Sequence, residues 1–338
     1  MTTRRIALGA VVGVLVAVAL AGAWAAHYAF APLGFSGETR VFEIERGASL
    51  RTVARDLTAA GVVPDPWRFE VLGRMLGRQG ALKAGSYQLE ARWSPLELLD
   101  GITGGAALRL DKVVLVEGWT FRQIRTVLDG HESLRHDSAS LSDAEVLSRV
   151  GMSRQHPEGL FFPDTYHFAK GTSDLAVLRR AALRMQEILA QQWAERHEGL
   201  PLSDPYQALI LASIIEKETG RESDRPMVAA VLVNRLRKGM RLQVDPTVIY
   251  GLGEAFDGNL RRRDLEHDSP YNTYLYAGLP PTPIAVPGLA SIAAAVKPAA
   301  SSALYFVARG DGSSHFSDSL PEHNRAVNRY QRQSAGSR

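Results

Sequence analysis

The sequence contains no cysteine, which excludes disulfide bonds, thiol catalysis and cysteine-ligated metal sites. This absence fits an oxidising compartment without requiring one. The excess of positive charge is also small, at +3 over 338 residues. Charge alone therefore predicts neither nucleic-acid binding nor strong attachment to an anionic membrane surface.

Several common catalytic motifs are missing as well. The nine histidines form no H-E-x-x-H pair, because Pro201 occupies the position of the second histidine after His197 and Glu198. There is no G-x-S-x-G nucleophile elbow and no glycine-rich phosphate loop ending in Lys-Ser or Lys-Thr. We therefore expect neither a metal ion nor a cofactor in the chemistry of this protein.

Apolar residues make up 45% of the chain, and one long apolar run lies near its start. Residues 6–26 carry no charge, and about 20 apolar residues span a bilayer core, so they predict a transmembrane helix. The two arginines within residues 1–5 keep that end cytoplasmic by the positive-inside rule. The predicted location is the cell inner membrane, single-pass, with the catalytic domain in the periplasm or extracytoplasmic space. The alternative is a cleaved signal peptide, because Ala23 to Ala25 resembles an A-x-A cleavage site.

A short pattern occurs twice in the first half of the chain. Ile44 to Val53 and Leu115 to Ile124 each contain a short strand, a glycine turn, a capping Ser or Thr and an amphipathic helix. Two copies are too few for a solenoid. Residues 40–130 resemble LysM-type modules, which hold glycan chains in other proteins. A purely structural repeat that spaces the catalytic domain from the membrane explains the pattern equally well.

The remaining pattern predicts an α+β protein with LysM-like βα modules followed by a mixed α/β catalytic domain over residues 155–335. A polar, irregular stretch over residues 130–156 marks the boundary. The predicted local elements are helices over 67–76, 142–150, 175–193 and 325–331, a further helix that begins at Ser94 with a capping box to Glu97, an extended segment over 85–89 and a hairpin over 304–318.

The stretch from Ser203 to Tyr250 is the most informative part of the sequence. It predicts a helix, a short turn, a second helix from Asp224 to Lys238 and then a tight polar loop. Ser203 is the expected N-cap of the first helix, and a proline follows within the first turn, where it is tolerated. Ala208 to Ile215 is almost wholly apolar, so we expect this helix to be buried on most sides.

That buried helix ends in two glutamates, Glu216 and Glu218. Apolar surroundings raise the pKa of a carboxyl group towards neutrality, which is what a general acid requires. The two side chains are roughly 200° apart on a helix and cannot face the same way. Glu216 follows the small residues Ala212 and Ser213 by one turn, which leaves room for a ligand. This spacing favours Glu216 as the catalytic residue.

Polar residues alternate with aromatic residues after the second helix. Asp245 precedes a proline, which favours a turn. Sugars stack on aromatic faces and need partners for their hydroxyl groups, so this composition suits a saccharide. The candidate substrate-binding residues are Gln243, Asp245, Thr247, Tyr250, Tyr271, Asn272 and Tyr274.

Several blocks in this region resemble the endolytic murein transglycosylase family, the YceG-like lytic transglycosylases of bacteria. They occur in the family order and cover residues 203–316 densely. The blocks are IIEKET (214–219), NRL (234–236), MRLQVDPTVIYG (240–251), YNTY (271–274), GLPPTPIAVPG (278–288) and YFVARGDGSSHF (305–316).

The resemblance implies cleavage of the MurNAc–GlcNAc bond within peptidoglycan glycan strands. In this family one glutamate acts first as acid and then as base, and the product carries a 1,6-anhydro-MurNAc end. The helix spacing makes Glu216 the preferred candidate for this glutamate. The polar candidates would orient sugar hydroxyl and N-acetyl groups, and the tyrosines would stack on sugar rings. The partners that the resemblance implies are glycan strands and peptidoglycan synthases, with no nucleic acid.

Two other functions remain open from the residues themselves. One is a non-enzymatic scaffold that uses the modules and the cleft to hold peptidoglycan. The other is a glycan hydrolase that uses Glu216 together with Asp245, because most glycosidases employ two carboxylates. The product separates the two enzymes, since a hydrolase leaves a reducing sugar end.

Overall fold

The structure is a computed structural model that describes residues 13, 15, 16, 19, 20, 22–45, 47–105, 110–219 and 221–332. The chain divides into two compact units. Unit 1 comprises Met1–Asp111 and His167–Gly171, and unit 2 comprises Lys112–Tyr166 and Thr172–Arg338. The second copy of the repeat, which begins at Leu115, therefore belongs to unit 2.

From Thr39 onward, the first segment of unit 1 has the order strand, helix, helix, strand, helix. Strand β1 (Thr39–Ile44) pairs antiparallel with β2 (Gly85–Glu90), in a register that runs from Thr39 opposite Glu90 to Ile44 opposite Gly85. The predicted capping box of Ser94 and Glu97 is confirmed at the start of the third helix. The LysM-like assignment stays a prediction. The elements are β1 (Thr39–Ile44), α1 (Leu50–Ala59), α2 (Pro66–Met75), β2 (Gly85–Glu90) and α3 (Pro95–Gly104).

The predicted membrane-spanning helix covers residues 6–26, of which only part is described. Residues 6–12, 14, 17, 18 and 21 of the predicted span lie outside the described residues. Among those that are described, no helix has the length and apolar character needed to cross a bilayer. The continuous described helical run covers residues 22–30, about 14 Å at 1.5 Å per residue, whereas a span needs about 20 residues. The predicted single-pass inner-membrane location is wrong on this finding.

Unit 2 is mainly helical. Strands β7 and β8 form the hairpin predicted over residues 304–318. The elements after unit 1 are β3 (Leu110–Val114), α4 (Phe121–Asp129), β4 (Leu134–Arg135), α5 (Asp143–Val150), β5 (Thr165–Ala169), β6 (Thr172–Ser173), α6 (Asp174–Ala194), α7 (Pro205–Glu218), α8 (Arg225–Arg237), α9 (Asp245–Leu252), α10 (Leu289–Val296), β7 (Tyr305–Ala308), β8 (Ser314–Ser317) and α11 (Leu320–Val327).

Helix α7 lies at the centre of unit 2. Every residue from Ala208 to Ile215 is buried, as the apolar run predicts. Helices α6, α8, α9 and α10 pack against it. Because α7 is enclosed for most of its length, its last turn is held firmly at a fixed place in the unit.

Three local predictions need correction. The N-cap of α7 is Asp204 rather than Ser203, because the Asp204 carboxylate accepts hydrogen bonds from the backbone N–H groups of residues 206 and 207. Asp245 begins helix α9 instead of a turn, since the following proline occupies the first helical turn, where its missing N–H costs nothing. The final helix begins at Leu320, earlier than predicted.

Candidate active site

The two glutamates at the end of α7 belong to different groups of residues. Two positions apart on a helix, their side chains point to nearly opposite sides. Glu216 contacts Arg225 and the backbone of Gly288. Glu218 instead lies within the electrostatic reach of Asp245. The structure therefore separates the two candidates for the catalytic acid into two distinct environments.

Both carboxylate oxygens of Glu216 are engaged by the protein. The backbone N–H of Gly288 donates to Oε2 at 2.9 Å, and Nη2 of Arg225 donates to Oε1 at 3.4 Å. The side chain is only 7% exposed. Glu216 thus ties the end of α7 to the start of α8 and to the residue before α10.

A third carboxylate, Glu117, lies beside this group. A Cβ atom on Gly288 would collide with the Glu117 carboxylate, so glycine permits this close approach. Burial raises the pKa of Glu117, and the neighbouring Glu216 charge adds to the effect. Nζ of Lys217 donates to the carbonyl of Gly118 at 3.2 Å. The sequence reasoning missed Glu117 because it lies in the glycine turn of the second repeat copy.

Glu218 is the last residue of α7. Burial and, to a smaller extent, the charge of Asp245 raise the pKa of Glu218 to about 7, and the charge of Arg235 opposes the shift. Within the described part of the chain, no hydrogen bond to its carboxyl group is present. A carboxyl group that is half protonated near neutral pH, and that no described residue engages in a hydrogen bond, has the properties of a general acid.

Asp245 and Tyr274 form a hydrogen-bonded pair next to Glu218. The Tyr274 hydroxyl donates to Oδ1 of Asp245 at 2.6 Å. Burial raises the pKa of Tyr274, and the bond to Asp245 adds to the shift, so this hydroxyl remains a donor at neutral pH. The sequence predicted both residues at the substrate site, and the structure brings them together with Glu218.

Gln243 lies two residues before Asp245 and is exposed. Its backbone is left-handed, with φ of 51°, which is uncommon for a residue other than glycine. Its N–H donates to the carbonyl of Thr273 at 3.1 Å, and Nη1 of Arg235 lies 3.5 Å from its side-chain oxygen. Strained backbone of this kind concentrates at functional sites.

Arg235 is a buried cation that the sequence reasoning did not single out. It is 8% exposed, and burial lowers its pKa. Nε donates to the carbonyl of Leu304 and Nη1 to that of Leu242, both at 2.7 Å. The guanidinium group also lies 5.2 Å from the ring centroid of Tyr305. Arg235 therefore holds the β7 hairpin and the loop before α9 together near Glu218.

Thr247 and Asn272 are buried beneath the loops of the site. Oγ1 of Thr247 shares a 2.8 Å hydrogen bond with Oγ1 of Thr273. Asn272 donates to the carbonyl of His267 at 2.8 Å and accepts from the N–H of Tyr274 at 2.9 Å. Their binding to substrate stays a prediction, and their observed contacts fix the loop that carries Tyr274.

Tyr250 and Tyr271 form an edge-to-face pair with ring centroids 4.9 Å apart. The Tyr271 hydroxyl shares a 2.8 Å hydrogen bond with Oγ1 of Thr282, and the Tyr250 hydroxyl donates to Oε2 of Glu158 at 3.0 Å. Burial raises the pKa of Tyr250, and the Glu158 charge adds to it. The sequence places Glu158 at the start of a block, Glu158 to Tyr166, that opens the predicted catalytic domain and resembles the family, but it assigns Glu158 no role at the site.

One group of residues in unit 2 has the composition of a metal site. Ligand atoms of Asp129, His136 and Asp174 lie within 4.8 Å of one another. The carboxylate of Asp174 already accepts a 2.6 Å hydrogen bond from the Ser138 hydroxyl and a 2.7 Å bond from the N–H of Leu175. This group contains none of the residues around Glu218.

Comparison with known proteins gives one consistent family. The YceG-like family matches residues 42–329 of the chain. A Bacillus subtilis protein named endolytic murein transglycosylase is 31% identical over 303 residues, which cover 85% of this chain and 83% of that protein. A Streptococcus pneumoniae protein of the same name is 26% identical over 317 residues. Those residues cover 84% of this chain and 57% of the Streptococcus protein.

A solved structure agrees with these sequence matches. The crystal structure of a YceG-like protein from Listeria monocytogenes superposes with a TM-score of 0.53 at 32% identity. The match covers 86% of this chain and 99% of the Listeria chain.

Proposed function

This chain belongs to the YceG-like family, and we propose that it is a lytic transglycosylase that cleaves peptidoglycan within its glycan strands. The family is the one that the sequence blocks predicted. The Bacillus relative is named for this activity, and the identity extends over most of both chains. Peptidoglycan synthases remain a predicted class of partner.

The proposed reaction breaks the bond between C1 of MurNAc and the oxygen that links it to GlcNAc. Glu218 protonates that oxygen, so GlcNAc departs with a hydroxyl group and an oxocarbenium-like centre develops at C1. The C6 hydroxyl of the same MurNAc then attacks C1 and gives its proton to the Glu218 carboxylate. The product is 1,6-anhydro-MurNAc, no water is consumed, and the proton taken from the C6 hydroxyl returns the glutamate to its original protonated state.

A single carboxyl group suffices because the attacking hydroxyl belongs to the substrate itself. Intramolecular attack of this kind can have an effective molarity on the order of 10⁵ M or more. The carboxyl group has only to deliver a proton and take one back. A pKa near the working pH suits both steps, because neither protonation state is then costly to reach.

The observation that carries the choice of acid is the contrast between Glu218 and Glu216. Glu218 has a pKa of about 7 and a carboxyl group that no described residue binds. Glu216, which the sequence spacing favours, already uses both oxygens to bind Arg225 and Gly288. We therefore assign the acid and base roles to Glu218, and Glu216 is the alternative that the experiment below tests.

Supporting roles follow from the groups around Glu218. The Asp245 charge beside it raises its pKa and would also stabilise positive charge at C1. The exposed side chain of Gln243 is available to sugar hydroxyl or N-acetyl groups. Tyr250 and Tyr271 are partly exposed and would offer ring surface to a sugar.

The test is mass spectrometry of the muropeptides that the purified full chain releases from isolated sacculi. We would compare wild type with Glu218→Gln and Glu216→Gln, which are matched in size and chemistry. The proposal expects anhydro-MurNAc ends from wild type and their loss in the Glu218 variant. Loss only in the Glu216 variant would reassign the acid.

A second candidate is a glycan hydrolase, which one observation favours. Asp245 lies close enough to Glu218 to raise its pKa, and paired carboxylates are typical of hydrolases. Reducing ends in the same experiment would select this candidate. Binding to sacculi without release of any product by folded wild type would instead select the non-enzymatic scaffold.

A further inference from the structure

Glu158 joins two helices of unit 2 through one buried carboxyl group. It is only 3% exposed. Oε1 accepts a 2.9 Å hydrogen bond from the backbone N–H of Phe121, the first residue of α4. Oε2 accepts a 3.0 Å bond from the hydroxyl of Tyr250 on α9. The helix of the second repeat copy is thereby tied to the helix that begins at Asp245.

Tyr250 connects Glu158 to Asp245 and Tyr274, the two residues that lie beside Glu218. Asp245 is five residues earlier on the same short helix, about 7.5 Å along its axis, so a shift of Tyr250 also moves Asp245. The Tyr250 ring packs against Tyr271, which belongs to the loop that carries Tyr274.

We propose that Glu158 is a positioning residue for the reaction at Glu218, and this inference rests on the proposed function. By fixing the Tyr250 hydroxyl it holds α9 and the Tyr271 loop in one geometry. That geometry keeps the pair of Asp245 and Tyr274 at the acid.

The energetics of the site favour this role over simple packing. A carboxyl group is costly to bury, and an apolar side chain of similar volume fills such space more cheaply. Burial raises the pKa of Glu158 to about 7, against the hydrogen bonds from Phe121, Tyr250 and Gly159, which lower it. The Glu158 carboxylate makes directional hydrogen bonds to two helices, which an apolar side chain could not make.

A second contact between the same two stretches provides a matched control. Arg122 of α4 forms an ion pair with Glu254, just after α9. These side chains are 69% and 83% exposed, and exposed pairs contribute little to stability. Removal of this pair therefore tests whether any loosened link between α4 and α9 has the same effect.

The experiment measures kcat and KM of the full chain on purified peptidoglycan strands. The variants are Glu158→Gln, Tyr250→Phe, the double variant and the control Glu254→Gln. Tyr250→Phe removes one oxygen and retains the ring, so it preserves packing and stacking. Circular dichroism at the assay temperature confirms that each variant is folded.

We expect each single variant to lower kcat by about 10- to 100-fold, because small displacements of a reacting geometry have effects of that size. KM should change by less than about threefold. The double variant should be no slower than the slower single variant, because both changes break the same link. The basic limb of the pH profile should move to lower pH in Glu158→Gln, since Asp245 then acts less strongly on Glu218.

Other results would overturn the inference. Folded Glu158→Gln and Tyr250→Phe with wild-type kcat would show that the link does not position the acid. The inference would also fail if the decreases in kcat of Glu158→Gln and Tyr250→Phe were fully additive in the double variant. It would fail as well if Glu254→Gln lowered kcat by the same factor. Failure of the proposed function is a separate outcome, because wild type itself would then release no anhydro ends.

Discussion

The hydroxyl of Tyr274 donates a 2.6 Å hydrogen bond to Asp245, which joins the loop after residue 271 to the first residue of α9. The charge of that aspartate lies close enough to Glu218 to raise its pKa. The hydrogen bond between Tyr274 and Asp245 therefore joins two separate chain segments beside Glu218, and the raised pKa of Glu218 makes it a suitable acid.

The Asp245 charge should control the pH range of activity. In Asp245→Asn the carboxylate charge is gone, so the pKa of Glu218 falls and less of it is protonated at neutral pH. We expect kcat/KM to drop several-fold more at pH 7.5 than at pH 5.5, measured by release of anhydro-muropeptides. Asp268→Asn is the matched control, because Asp268 accepts an equally short 2.6 Å bond from Tyr276 on the surface. Identical pH profiles for Asp245→Asn and wild type would contradict this prediction.

Wild type should lose activity as the pH rises through about 7. The acid must be protonated in the free enzyme, and the pKa of Glu218 is raised to about 7 by burial. Since the protonated form disappears above that pH, kcat/KM should fall about tenfold per pH unit on the basic side. A profile of initial rates between pH 5 and 9 measures the limb. A basic limb below pH 5 would be incompatible with Glu218 as the acid.

Glu218 should make the folded protein less stable at high pH. Its folded pKa of about 7 lies above the ordinary value of 4.5, so the folded state binds the proton more tightly than the unfolded state. Stability is therefore lost as the pH rises from about 4.5 to about 7. In urea unfolding, Glu218→Gln should gain up to about 3 kcal/mol over wild type between pH 5 and pH 8. A pH-independent difference would argue against the raised pKa.

Arg235 should stabilise unit 2 by its geometry as well as its charge. Its planar guanidinium group donates to the carbonyls of Leu304 and Leu242, which a lysine ammonium group cannot reach together. Arg235→Lys should lower the free energy of unfolding by about 2–3 kcal/mol, measured with urea. Arg237→Lys, an exposed position on the same helix, should change it by less than about 0.5 kcal/mol. Equal effects at the two positions would refute this role.

The left-handed backbone at residue 243 should discriminate between substitutions. Asn is enriched at positive φ, whereas a β-branched residue is strained there. At the observed φ of 51°, Gln243→Val should lower the free energy of unfolding by about 1–2 kcal/mol, and Gln243→Asn should stay close to wild type. Urea titrations of both variants measure the difference. Equal stabilities would indicate that the backbone relaxes to another conformation.

Local sequence patterns predicted several elements of unit 2, and the sequence blocks predicted the family of the chain. The burial of Ala208 to Ile215 followed from an unbroken apolar run, and the hairpin over residues 304–318 followed from its glycines and alternating residues. The turn predicted at Asp245 is wrong, because an aspartate followed by a proline occurs at helix starts as well as in turns. The apolar run near the start of the chain predicted a membrane span that no described helix supports.

The candidate site was predicted only in part. Sequence position brought out Gln243, Asp245 and Tyr274 because polar and aromatic residues are concentrated there. The sequence assigned no role at the site to Glu158 or Arg235, because each makes its contacts with a distant segment of the chain. The bond between Glu158 and Tyr250 joins residues 92 positions apart, and that between Arg235 and Leu304 joins residues 69 apart.

The sequence by itself determined the family, the buried helix and the two glutamates at its end, because these depend on residue order and on helical spacing. Only the tertiary structure showed that the two carboxyl groups have different surroundings. Glu216 meets the N–H of Gly288, 72 residues further along the chain, whereas Glu218 meets the charge of Asp245 and no hydrogen-bond donor among the described residues. A carboxyl group's pKa and availability depend on burial and on neighbours in space, and the fold alone brings those neighbours together.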